Sequence, residues 1–294
     1  KISENHPDKP QTWRVFLDRE FTAKLRVIKK DSDTKQTVLV PNAEFKIFNI
    51  DKNEYVKQYT TYPSKVEHTS FFTDEDGDLI LPEALKIGNY RIEEVKAPFG
   101  YVVNDNYINI SVDTDTAFET DGDTNDAIIT VEYSDAPAVG ELTVEKKGEV
   151  LDGFKGGLFA NSEDKEFVYK EGSLAGAVFK VYAAEDIYTA DNQKDADGNR
   201  IKYYSKGDLV TTLTTGKDGK ATAKNLPLGQ YRVVEVEAPY GYVLNPNEQK
   251  VTFTYVDDKT PVIKESLTFS DDRQKLDMSV TKLDAEDNTP IAGA

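Results

Sequence analysis

A twelve-residue phrase occurs twice in this chain, as Tyr90-Arg91-Ile92-Glu93-Glu94-Val95-Lys96-Ala97-Pro98-Phe99-Gly100-Tyr101 and as Tyr231-Arg232-Val233-Val234-Glu235-Val236-Glu237-Ala238-Pro239-Tyr240-Gly241-Tyr242. Each copy reads as a strand that runs into a Pro/Gly turn. Side chains of a strand alternate between faces, so Tyr90, Ile92 and Glu94 share one face, as do Tyr231, Val233 and Glu235. The apolar side of such a strand turns inward and takes a glutamate with it.

Two further strand patterns in each half end in a misplaced charge. Leu25, Val27 and Lys29 share a parity, as do Leu142, Val144 and Lys146, so a lysine closes an inward face in both places. Ile129, Val131, Tyr133 and Asp135 do the same with an aspartate, and so do Leu267, Phe269 and Asp271. Lys30 and Lys147 sit on the opposite parity and read as solvated. Buried charges are costly unless paired or neutralised, so three in one core need a reason.

The spacing repeats as well. Asp135 and Lys146 are 146 − 135 = 11 positions apart, and Asp271 and Lys282 are 282 − 271 = 11 apart. Counting back from Lys29 by the same interval reaches Asp18, in Val15-Phe16-Leu17-Asp18, similar to Thr268-Phe269-Ser270-Asp271. The chain thus reads as tandem modules. Residues 1–20 are expected as the last strand of a preceding repeat with a linker, and 21–137 as a first complete domain. Residues 138–273 are expected as a second complete domain with insertions, and 274–294 as the first strand of a following repeat. Asp18 and Lys282 would then lack their partners.

These residues resemble the Cna B-type (SpaA-like, prealbumin-like) domains of Gram-positive surface adhesins and pilins. The Tyr-x-x-x-Glu-x-x-Ala-Pro-x-Gly-Tyr phrase, present twice, is the most specific element of the resemblance. It implies an all-β fold of tandem antiparallel Greek-key β-sandwiches. It also implies an autocatalytic isopeptide bond between a first-strand lysine and a last-strand Asn or Asp. The matching acceptors here are aspartates, Asp135 and Asp271, so the expected leaving group is water rather than ammonia.

Burial alone leads to the same chemistry. Desolvation lowers the pKa of a lysine and raises that of a carboxylic acid. A neutral Lys29 amine could then attack a protonated Asp135 while Glu94 polarises the carbonyl and moves protons, and Lys146, Asp271 and Glu235 would act alike. The alternative reading of each cluster is a buried salt bridge. The lysine-to-aspartate spans of 135 − 29 = 106 and 271 − 146 = 125 residues enclose nearly a whole domain each.

Composition narrows the remaining classes. A net charge of −17 argues against nucleic acid and anionic membranes as partners. Cysteine is absent, which excludes disulfides, a thiol nucleophile and a thioester. No stretch is long and apolar enough for a membrane helix. No nucleophile triad, phosphate loop or metal cluster is visible, so an enzyme acting on an external substrate is not expected, nor is a cofactor or a metal. Acidic runs at Asp195-Ala196-Asp197-Gly198-Asn199 and Asp121-Gly122-Asp123-Thr124-Asn125-Asp126 lack full calcium-loop spacing and read as turns, and His6 and His68 are isolated.

Extra length at 148–173 and 185–206 reads as surface insertions, where binding is commonly grafted; the first includes Gly153-Phe154-Lys155-Gly156-Gly157-Leu158-Phe159. Tyr62-Pro63-Ser64-Lys65 resembles a sortase-reactive pilin motif with one residue inserted. Asn104 and Asn245 follow the two Gly-Tyr pairs at equal spacing and are expected to serve turns. The function expected is a structural stalk segment of an extracellular, cell-wall-anchored adhesin or pilus-like protein, its partners being neighbouring repeats of the same chain. The alternatives are a module that grips a host matrix protein or glycan through 148–206, and a sortase-polymerised backbone pilin.

Overall fold

The structure, a computed structural model, describes residues 20–122, 126–156 and 166–292. No helix occurs among the described residues; the fold is all-β. The chain divides into two compact units, residues 1–99 with 103–136 and residues 100–102 with 137–294.

In the first unit, strand β1 (Thr22–Asp31) lies between β3 (Asp78–Ile80), antiparallel to it, and β6 (Ala127–Pro137), parallel to it. A second sheet places β4 (Gly88–Lys96) between β2 (Glu44–Asn49) and β5 (Ile108–Val112). The inward faces of the two sheets supply one core, including Leu25, Val27, Phe45, Ile47, Ile92 and Tyr133. Strict alternation makes this possible, since every second residue of β1 is buried from Ala23 to Asp31. Phe45 meets Tyr133 edge-on at 5.1 Å between ring centres, an arrangement favoured by the ring quadrupoles.

The second unit repeats the plan. Strand β7 (Val139–Lys155) pairs with β8 (Glu166–Ser173) and with β11 (Lys220–Leu226), both antiparallel, and with β14 (Val262–Asp271), parallel. The facing sheet runs β10 (Leu209–Thr214), β9 (Val178–Ala183), β12 (Gly229–Glu237) and β13 (Gln249–Phe253). Leu142, Val144, Phe179, Tyr231, Val233 and Phe269 fill the space between.

Within the antiparallel sandwiches expected, the first strand of each unit meets the last in parallel. The chain enters and leaves such a sandwich on neighbouring strands that run the same way. Residues 148–173 are not simply a loop: β7 continues to Lys155 and pairs back with β8, where Leu151 stands opposite Tyr169 and Phe154 opposite Phe167, cross-strand pairs that favour a ribbon. The 185–206 insertion likewise carries a short pair, Ile187–Tyr188 with Lys202–Tyr204. Met278–Lys282, expected as a strand, is coil with exposed side chains, and only an isolated bridge joins Leu283 to Pro290. A strand needs a ladder for its backbone groups, and among the described residues 278–282 has no ladder, only the Ile291 N–H donated to Lys282 O at 2.8 Å. Asp18, His6 and the segments 157–165 and 123–125 lie outside the described residues.

Candidate functional site

The parallel pairing of first and last strands sets the geometry of the site. Lys29 lies opposite Tyr133 in the register, and Lys146 lies opposite Phe269. Each aspartate is two positions further along its strand, so it is the diagonal neighbour of the lysine on the same inward face. The glutamate approaches from the opposite sheet. Lys29 Nζ is 2.8 Å from Glu94 Oε1 and 2.5 Å from Asp135 Oδ1, and all three side chains are 0% exposed. In the second unit Lys146 Nζ donates to Glu235 Oε2 at 2.7 Å and to Asp271 Oδ1, again with no exposure. The structure therefore brings together the two groups Lys29, Glu94, Asp135 and Lys146, Glu235, Asp271. Lys282 is exposed and joins neither.

A feature the alternation did not reveal ends each glutamate strand. Opposite Phe45 stands Glu94, but opposite Glu44 stands Lys96, and Phe179–Glu235 and Val178–Glu237 repeat the slip. Val95 and Val236 are thus the extra residues of two matched β-bulges, and both are about two-fifths exposed. A bulge turns the strand just past the glutamate and re-aims its carboxyl. The doubled Val after Glu was the available signal, an apolar residue on the polar parity.

A glycine turn fixes each lysine from behind. Lys29 N–H donates to Gly77 O at 2.8 Å, and Lys146 N–H donates to Gly219 O at 2.7 Å. Both glycines are left-handed, with φ of 78° and 72°. A Cβ on Gly77 would stand 2.2 Å from the Val38 carbonyl oxygen, which is backbone and cannot move aside cheaply. Gly77→Ala is expected to cost the first unit about 1–3 kcal/mol, read as a lower thermal midpoint for that unit in calorimetry.

The site is dry. Lys29 Nζ lies 4.7 Å from the Tyr133 ring centre and 5.7 Å from that of Phe45, and Lys146 Nζ lies 5.8 Å from that of Phe179. Burial pushes the Asp135 carboxyl up to about 8, against the pull of Lys29 and with help from Glu94. Burial also raises Glu235. One acid of each group is thus biased toward its protonated form. Close approach does not amount to full pairing: Lys29 Nζ, Glu94 Oε1 and both Asp135 oxygens have no aligned hydrogen bond, nor do Glu235 Oε1 and Asp271 Oδ2. Such atoms cost roughly 1–3 kcal/mol each when left unsatisfied.

Other residues singled out by the sequence lie elsewhere. Lys30 and Lys147 face outward and are only partly exposed, near Glu132 at 3.4 Å and Glu171 at 3.7 Å. Asp195 Oδ1 accepts the N–H groups of Asp197 and Asn199, as an acidic turn does. His68 Nε2 is 2.9 Å from Thr60 Oγ1, and Lys65 Nζ lies 4.5 Å from the Tyr59 ring centre.

The family model for the SpaA prealbumin-like fold domain matches residues 23–127 and 165–266. Over 159 residues the chain is 26% identical to the trypsin-resistant surface T6 protein of Streptococcus pyogenes serotype M6, a match covering 49% of this chain and 25% of that protein. Among solved structures it is similar to the Bacillus anthracis TIE protein, with TM-score 0.48 and 22% identity over 86% of this chain and 34% of that one. It is also similar to a minor pilin of Streptococcus agalactiae, with TM-score 0.31 and 15% identity over 88% of this chain and 100% of that one. The chain spans a quarter of the length of the curated relative it matches.

Proposed function

Because the chain belongs to the SpaA prealbumin-like fold domain family, we propose that it is a shaft segment of a bacterial surface adhesin or pilus-like protein, hardened by one internal Lys–Asp amide in each unit. The observation that carries this reading is the fully buried Lys–Glu–Asp group found twice between first and last strands. The relative named a surface protein supports a location outside the cell, and attachment to the wall is part of the proposal.

The reaction uses only this chain's own groups. The lone pair of a neutral Lys29 Nζ attacks Cγ of a protonated Asp135. Glu94 accepts a proton from the nitrogen and returns it to the departing oxygen, the Cγ–O bond breaks, and water leaves. Lys146, Glu235 and Asp271 follow the same course once the proton that burial favours on Glu235 has passed to the neighbouring Asp271 carboxyl. The product is a neutral amide, so the buried charges that set up the step disappear with it. Each site reacts once, which is self-processing and not turnover.

An amide and an ion pair differ in how they respond to pH. Removing the ammonium in Lys29→Ala leaves burial and Glu94, both of which push the Asp135 carboxyl above its usual 3.8. Above that value, until the raised folded-state value is passed, the folded state then keeps a proton that the unfolded chain has released. Its stability is therefore full in acid and falls as pH rises, by up to about 1.4 kcal/mol per unit. The first unit of Lys29→Ala is expected to have a higher calorimetric midpoint at pH 5 than at pH 8. The parent should show no such slope from Asp135, because an amide does not titrate; a parent that follows the variant has an ion pair instead.

A cavity of about 580 Å³ in the second insertion, lined by Tyr188, Asp195, Asn199, Arg200, Ile201 and Lys202, favours a second reading in which this unit also grips a host ligand. Deleting 190–200 and losing capture of a host matrix protein or glycan would support it.

A further inference from the structure

Asn104 and Asn245 do more than serve their turns. Asn104 Nδ2 donates to Ser134 O at 2.9 Å, the carbonyl just before Asp135, and Asn245 Nδ2 donates to Ser270 O at 3.1 Å, the carbonyl just before Asp271. Each asparagine stands ten positions past its glutamate (104 − 94 and 245 − 235). Their Oδ1 atoms accept the N–H groups of Asn106 and Asn247, which is the turn role. In the first unit the Asn104 N–H also donates to Glu94 Oε2 at 3.1 Å, so one residue touches both the glutamate and the strand end that carries the acceptor. Tyr133, two positions before Asp135, donates from its hydroxyl to Asn104 O at 2.9 Å and closes the loop back onto the same strand. A cavity of about 300 Å³ opens beside this clasp, with Glu94, Asn104, Asn106 and Tyr133 among its lining.

We propose that Asn104 and Asn245 are positioning residues for amide formation, each clamping the end of the last strand so that the aspartate carbonyl stays within reach of the lysine amine. The proposal rests on the amide reading above. Each acceptor lies near the end of its last strand, and a displacement of about 1 Å at the reacting atoms can cost on the order of a hundredfold in rate. The side-chain amide spans the gap between the post-glutamate loop and the strand end from outside the core, where it disturbs none of the buried charges. In the first unit the adjoining cavity gives the released water somewhere to go.

Aspartate separates the two roles, because it keeps the Oδ1 acceptor for the turn and loses the donor to the strand. The full chain, made by cell-free synthesis, is sampled over time by intact mass and by a digest that reports each site. In Asn104→Asp the first site should close at least about tenfold more slowly than in the parent, while the second site in the same molecules closes at the parental rate. Asn245→Asp should reverse the pattern. Hydrogen exchange on the same samples reports whether the affected unit is folded. Slow closure in a folded unit supports the clamp; parental closure, or slow closure confined to unfolded molecules, overturns it. A parent that never loses water overturns the amide reading instead, and the clamp with it.

Discussion

Purified parent chain should weigh less than its 294-residue sequence by two water molecules, and Glu94→Ala and Glu235→Ala should each recover one of them. The double variant should have the full sequence mass. Loss of water is the direct signature of condensation, and its dependence on each glutamate follows from geometry. Glu94 Oε1 is 2.8 Å from Lys29 Nζ and Glu235 Oε2 is 2.7 Å from Lys146 Nζ, so each carboxyl can receive the proton that the attacking amine must lose. Without that acceptor the attack would generate a charged intermediate in a site from which water is excluded. The effect should be all or none per site, because a bond that is made once leaves no partial state to average. An unshifted parent mass would reduce both groups to buried salt bridges while leaving the two sandwiches in place.

The second large effect concerns force. Lys146 and Asp271 lie 125 positions apart, at the start and end of the second unit. If they are joined, tension entering at β7 passes through the amide to β14, and the intervening strands carry none of it. In single-molecule stretching the parent's second unit should not extend. Lys146→Ala should release a new length of roughly 400 Å, being 125 residues at about 3.3–3.6 Å each less the folded separation. The same variant should lose stability on the order of 5 kcal/mol, by the chain-entropy argument used for long cross-linked loops. It also leaves the Glu235 and Asp271 carboxyls buried without their cation, which adds to the loss. A Lys146→Ala chain that stretches and melts like its parent would refute a mechanical role for this site.

The residues of the candidate site were unusually legible. Alternation of period two marked Lys29, Lys146, Glu94, Glu235, Asp135 and Asp271 as inward-facing, and in the structure none is more than 8% exposed. The reason is that a two-sheet sandwich buries one face of each strand completely, so parity along the chain translates directly into depth. The 148–173 ribbon was less legible because both of its faces are largely solvated. Leu151, Phe154 and Phe167 are 57%, 46% and 65% exposed, and without a buried face no alternation distinguishes strand from loop. The same applies to 278–282, whose strand-like pattern finds no ladder among the described residues.

Local pattern by itself determined the all-β class, the doubling of the unit, the inward parity of six charged residues and the absence of cysteine chemistry. Tertiary structure alone decided the distances. The first and last strands run parallel, which sets each aspartate diagonal to its lysine. Bulges at Val95 and Val236 aim the glutamates, glycine carbonyls hold the lysine backbones, and asparagine amides reach the acceptor strands. Parity is a property of neighbouring residues and can be read along one strand. Which strands lie side by side, and in what register, depends on contacts between segments more than a hundred positions apart, and no short-range pattern encodes them.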